Sequence, residues 1–137
     1  MRFPVLGFAM FASLGASPAL AGTSGCAALR QPETAARRAA DAALVTRIGK
    51  QKVSAAQVSH VLAESGWRLV WATPSDAERG VFFFHRAGRG AYRLVDVWGG
   101  VIAPEDRADS LAWARGRAGH PSERLATCFV DAVVAGK

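Results

Sequence analysis

Two cysteines, Cys26 and Cys128, stand near opposite ends of this chain, and no third cysteine occurs. If they bond, the fold must close inside one covalent loop of roughly 100 residues, a cross-link that restricts the unfolded ensemble by about 4–5 kcal/mol in the chain-entropy model. Whether they bond depends on the compartment, because disulfides persist where the surroundings are oxidising. The first residues address that question. Arg2 gives a positive start, Phe3 to Leu14 is apolar apart from Ser13, and small residues lead to Pro18-Ala19-Leu20-Ala21. This order reads as a secretory signal peptide over residues 1–21, cut before Gly22. Thr23 stands where a lipoprotein would carry its lipidated Cys. The expected product is therefore a periplasmic or secreted protein in which 22–137 form a single α+β domain bridged by Cys26 and Cys128. Fourteen Arg against three Lys, with abundant Ala, suit a GC-rich bacterial gene. A reactive thiol is the weaker reading, since neither Cys has Cys-x-x-Cys spacing or an adjacent His.

Composition excludes several classes. Half of the 137 residues are hydrophobic, with seven Phe and four Trp, which is too apolar for a disordered chain. No apolar run is long enough to span a membrane as a helix. The formal charge of +6 raises a nucleic-acid reading. The arginines are dispersed, however, no nucleic-acid motif is present, and export removes the chain from cytosolic nucleic acid. An anionic envelope surface or an acidic partner protein fits the charge better.

Residues 32–48 are Ala-rich and predict a helix, with Pro32 in the first turn and Gly49 as the stop. Ser54 and Gln57 form a capping box, and Val53 and Val58 a staple, so a second helix is expected over 55–65, ended by Gly66. Three strands follow in sequence, Trp67 to Thr73, Val81 to Arg86 and Ala91 to Trp98. The last two are joined by a hairpin loop of about four residues. Pro104-Glu105-Asp106 opens a third helix reaching Arg115, and residues 122–134 form a fourth that carries Cys128 on its apolar face. The expected fold is α+β: two N-terminal helices, a three-stranded antiparallel meander, two C-terminal helices and one disulfide.

Alternate residues share a strand face. With Arg86 opposite Ala91, one face collects Val81, Phe83, His85, Tyr92, Leu94, Asp96 and Trp98, joined by Trp67, Leu69 and Trp71. That face is the expected core. The other carries Phe82 and Phe84 among Arg68, Arg86 and Arg93. It is either a solvated face with Arg stems lying over the rings, or a binding surface. A one-residue slip would exchange the faces.

No motif fixes a reaction. His60, His85 and His120 are scattered and give no metal-ligand spacing, so no metal and no cofactor are expected. Gly88-Arg89-Gly90 joins two strands, whereas phosphate loops lead into a helix. Asp96 sits inside an apolar strand and needs a partner, either an Arg or an indole N–H. An acid–base pair of His85 and Asp96 would support a hydrolase, but the register above sets them about 13 Å apart. The leading expectation is a non-catalytic exported binding or accessory protein, contacting an envelope protein through Arg68, Phe82, Phe84, Arg86 and Arg93. The alternatives are a carrier of a small apolar or acidic ligand in a sheet–helix pocket, and the hydrolase.

Overall fold

The segments Trp67-Arg68-Leu69-Val70-Trp71-Ala72 and Val81-Phe82-Phe83-Phe84 carry apolar side chains at both parities. Strands of that kind are stable only when both sheet faces are covered. A computed structural model describes residues 24–137, and its fold answers that requirement. The signal peptide expected over residues 1–21 lies outside the described residues.

Four antiparallel strands form a meander in the order β1-β2-β3-β4: β1 (Val58–Glu64), β2 (Trp67–Ala72), β3 (Gly80–His85) and β4 (Arg93–Gly99). On one face lies α2 (Ala35–Arg47), which covers Val58, Val61, Val70, Ala72, Phe82 and Phe84. On the other lie α1 (Ser24–Leu29), α3 (Arg107–Arg115) and α4 (Glu123–Val134). They bury Leu62, Trp67, Leu69, Trp71, Val81 and Phe83 together with Phe129 of α4. Phe129 makes edge-on contacts with Phe83, at 4.9 Å between ring centroids, and with Trp98, at 5.9 Å. Each of these large side chains contributes roughly 1.5–3 kcal/mol by leaving water.

The α+β class, the antiparallel sheet and the disulfide agree with expectation. The sheet, however, has four strands, and the helix expected over 55–65 is absent. The Ser54–Gln57 capping box does form, with Ser54 N–H donating to Gln57 Oε1 at 2.8 Å, yet it caps a single 3-10 turn, Ala55–Gln57. The chain then enters β1. A register shift between Val58 and His60 explains the misleading pattern. It places Val58 and Val61, three residues apart, on the same α2-facing side, which imitates a helical stripe. The second N-terminal helix is instead α1, whose six residues carry too little periodicity to be seen in sequence.

Ser65 and Gly66 join β1 to β2 with φ of 47° and 84°. Two consecutive positive φ values are the type I′ hairpin geometry, so Gly66 is a turn residue rather than a helix stop. A Cβ on Gly66 would lie 2.5 Å from the Arg86 carbonyl oxygen. Gly66→Ala should therefore lower stability by more than the roughly 1–2 kcal/mol of the left-handed backbone alone, read from urea unfolding.

The β3–β4 register also differs from expectation. His85 pairs with Arg93, Phe84 with Leu94 and Phe83 with Asp96, with an irregularity between Phe83 and Phe84. The loop is longer than four residues, and Val95 is the extra residue. Tyr92 and Leu94 consequently pack with the α2 side, while Val95 and Trp98 pack with the α4 side.

Cys26 of α1 and Cys128 of α4 are bonded, with Cα atoms 5.4 Å apart and a sequence separation of 102. The bond anchors α1, a helix too short to be stable alone. Backbone pairing of Arg30 with Leu62, and the Gln31 N–H donating to Val61 O at 2.9 Å, continue the attachment to the β1 edge.

Candidate functional site

Arg68 has the parity of Val70 and Ala72 and so faces α2, where a guanidinium cannot remain without a partner. The helix supplies Asp41, itself 3% exposed, in a stretch otherwise made of alanines. Arg68 Nε donates to Asp41 Oδ1 at 2.5 Å and Nη2 donates to Oδ2 at 2.9 Å, a bidentate pair. Burial works to lower the Arg68 pKa, but the hydrogen bonds and charge of Asp41, with a contribution from Tyr92, outweigh it and raise the pKa above its ordinary value.

Around this pair opens a cleft of about 370 Å³, walled by Asp41, Leu44, Arg47, Arg68, Arg86 and Tyr92. Arg47 stands in the last turn of α2 and donates from Nε to Ala43 O at 3.4 Å, which leaves its terminal nitrogens for solvent or a ligand. Arg86 follows β3, and its backbone N–H donates to Gly66 O at 3.0 Å. Its guanidinium carbon lies 4.7 Å from the centre of the Tyr92 ring, a cation–π stack that fixes the head group in place. Arg86 Nε is buried with no hydrogen-bond partner among the described residues. Three arginines thus share a cleft whose one acid, Asp41, is already held by Arg68.

The five expected contact residues divide. Arg68 and Arg86 line the cleft. Arg93 is exposed at the start of β4. Phe82 and Phe84 are 2% and 0% exposed beneath α2, so they are core and do not make a surface with the arginines. The alternating pattern gave their face correctly but could not reveal that α2 covers it. Asp41, Arg47 and Tyr92 were not singled out in the sequence. Asp41 had a usable signal, a single acid flanked by alanines on a helix whose neighbours are small enough to be buried.

Asp96 is half-exposed. It accepts from the Val97 N–H at 2.7 Å and forms an ion pair with Arg117, whose guanidinium also lies over the Trp113 ring at 4.3 Å. The His85 ring stacks on Trp67 at 4.6 Å between centroids. No hydrogen bond joins His85 to Asp96 among the described residues, so the hydrolase reading finds no acid–base pair. No group of three His, Cys, Asp or Glu side chains among the described residues is placed to hold a metal ion. No described helix is long and apolar enough to cross a membrane. The chain matches no protein-family model, no curated protein and no solved structure.

Proposed function

We propose that the protein is an exported, non-catalytic binding protein that engages carboxylate groups of an acidic partner protein through the Arg47–Arg68–Arg86 cleft. The observation that carries this reading is the imbalance of charge in the cleft: three guanidinium groups and one carboxylate, with Arg86 Nε unsatisfied. An arriving carboxylate gains charge-assisted hydrogen bonds there at little ordering cost, because Arg68 and Arg86 are already held by Asp41 and Tyr92. The basic net charge steers such a partner toward the surface. Asp41 and Tyr92 position the arginines, and Arg47 and Arg86 make the contact. Arg93, expected on the same face, pairs with His85 and shares its side of the sheet instead, because the irregularity at Val95 shifts this end of β4, so it takes no part in the cleft.

The test uses a labelled oligoglutamate peptide titrated into the oxidised protein, followed by fluorescence anisotropy. The Arg47→Ala/Arg86→Ala variant should bind roughly tenfold more weakly or worse. Arg107→Ala/Arg115→Ala removes the same charge on the far side of the sheet, where the two arginines pair with Asp131 and Glu123, and should change binding little. Equal losses in the two variants would mean that net charge alone attracts the peptide, and the cleft would be rejected.

A further inference from the structure

A second cavity, of about 190 Å³, opens between β1 and α4 on the opposite side of the sheet from the arginine cleft. Its walls combine two chemistries. Leu62, Ala132 and Ala135 are apolar, as is the Cys26–Cys128 bond that closes one side. Arg30 and Lys137 bring positive charge to its rim, and His60 of β1 reaches it from beneath. His60 is 6% exposed, touches Trp71 edge-on at 4.9 Å, and makes no hydrogen bond among the described residues. Neither of its ring nitrogens is among the fully buried unpaired atoms of the described residues, and the ring lines the cavity, where an entering ligand can reach it. The Asp131 carboxylate at the same cavity is paired with Arg107 at 2.5 Å, so the rim keeps its positive excess.

We propose that this cavity is a binding site for a small aliphatic monocarboxylate, its carboxylate held by Arg30, Lys137 and His60 and its hydrocarbon chain lying on Leu62, Ala132 and the disulfide. The size sets the ligand. At about 30 Å³ per water, the cavity holds the equivalent of roughly six waters, and so a chain of about four carbons including the carboxylate. The site is independent of the arginine cleft and shares no residue with it.

The surroundings of His60 give the pH dependence. Burial is the largest influence and lowers its pKa, and Arg30 and Lys137 push in the same direction, while Glu33 opposes them. Arg38 and Asp41 of α2 share a narrow cleft with His60 on its other side, and Asp131 faces it from α4. A carboxylate beside the ring favours the protonated imidazole, so binding takes up a proton and tightens as pH falls.

Sodium butyrate titrated into the oxidised protein tests this by NMR of the histidine ring resonances. A ligand of six heavy atoms should saturate with a dissociation constant on the order of 1 mM. The apparent pKa of His60 should rise on saturation. Arg30→Ala should weaken butyrate about tenfold while leaving the thermal midpoint unchanged, because Arg30 is exposed. n-Butylamine, of similar size and opposite charge, should produce no saturable shift. Absence of saturable butyrate binding, undiminished binding in Arg30→Ala, or equal binding of inorganic phosphate would each overturn the assignment.

Discussion

Cys26→Ser/Cys128→Ser should lose about 4–5 kcal/mol of stability relative to the oxidised chain, the loop-closure contribution of a cross-link this long. The bond joins positions separated by 102 residues, and nearly every described element lies inside its loop. A loss of that size is comparable with the whole stability of many small domains and lowers the thermal midpoint by on the order of 15–25 °C. Urea unfolding of the oxidised, reduced and doubly substituted proteins would measure it, with the last two expected to agree. The effect should concentrate at α1. Without the bond, that helix keeps the Arg30–Leu62 pairing and the packing of Leu29, which is 3% exposed. Hydrogen exchange should therefore show α1 opening first in the substituted protein. A difference below about 1 kcal/mol would contradict the account, because it would mean that the native bond is strained or that α1 contributes little.

Asp41→Ala is expected to be nearly as damaging, at about 3–5 kcal/mol, because it leaves the Arg68 guanidinium uncompensated beneath α2. The side chains of Arg68 and Asp41 are 15% and 4% exposed, so water cannot easily replace the lost partner. The mechanism is separable from simple loss of packing. Asp41→Leu/Arg68→Met removes both charges and fills similar volume, and it should recover most of the stability lost by Asp41→Ala. If the single and double variants are equally unstable, the pair acts through shape and not through charge. If Asp41→Ala costs less than about 1 kcal/mol, Arg68 is solvated and the cleft is wetter than its geometry implies.

Much of the architecture was legible because local signals and tertiary demands agreed. The alternation of Trp67, Leu69 and Trp71, and of Val81 and Phe83, defines one sheet face in sequence and in space. Leu125, Cys128 and Phe129 share the buried side of α4 as their spacing requires. The failures trace to irregularities in strands. At Val58–Val61 the register shift of β1 converts a strand into a helical spacing, and a real capping box beside it strengthens the wrong choice. At Val95 a second irregularity moves Tyr92 and Leu94 to the other face, which is how Tyr92 comes to stack on Arg86. Neither shift has a local sequence marker, since no Gly or Pro stands at either position.

The candidate site was half legible for the same reason. Arg68 and Arg86 could be placed on one face by parity, whereas their meeting with Asp41 and Arg47 depends on where α2 lies over the sheet. That placement is a long-range packing result. Phe82 and Phe84 stack nearly parallel beneath the helix, at 6.4 Å between centroids, and serve as the floor on which α2 rests. Their burial positions the arginines even though they make no surface themselves.

The charge-matched comparison of oligoglutamate binding bears most directly on the central claim, that the fold gathers arginines into a cleft for carboxylates. The account predicts that Arg47→Ala/Arg86→Ala loses roughly tenfold in affinity while Arg107→Ala/Arg115→Ala stays close to the parent, both variants remaining folded. Indistinguishable affinities for the two variants would contradict it.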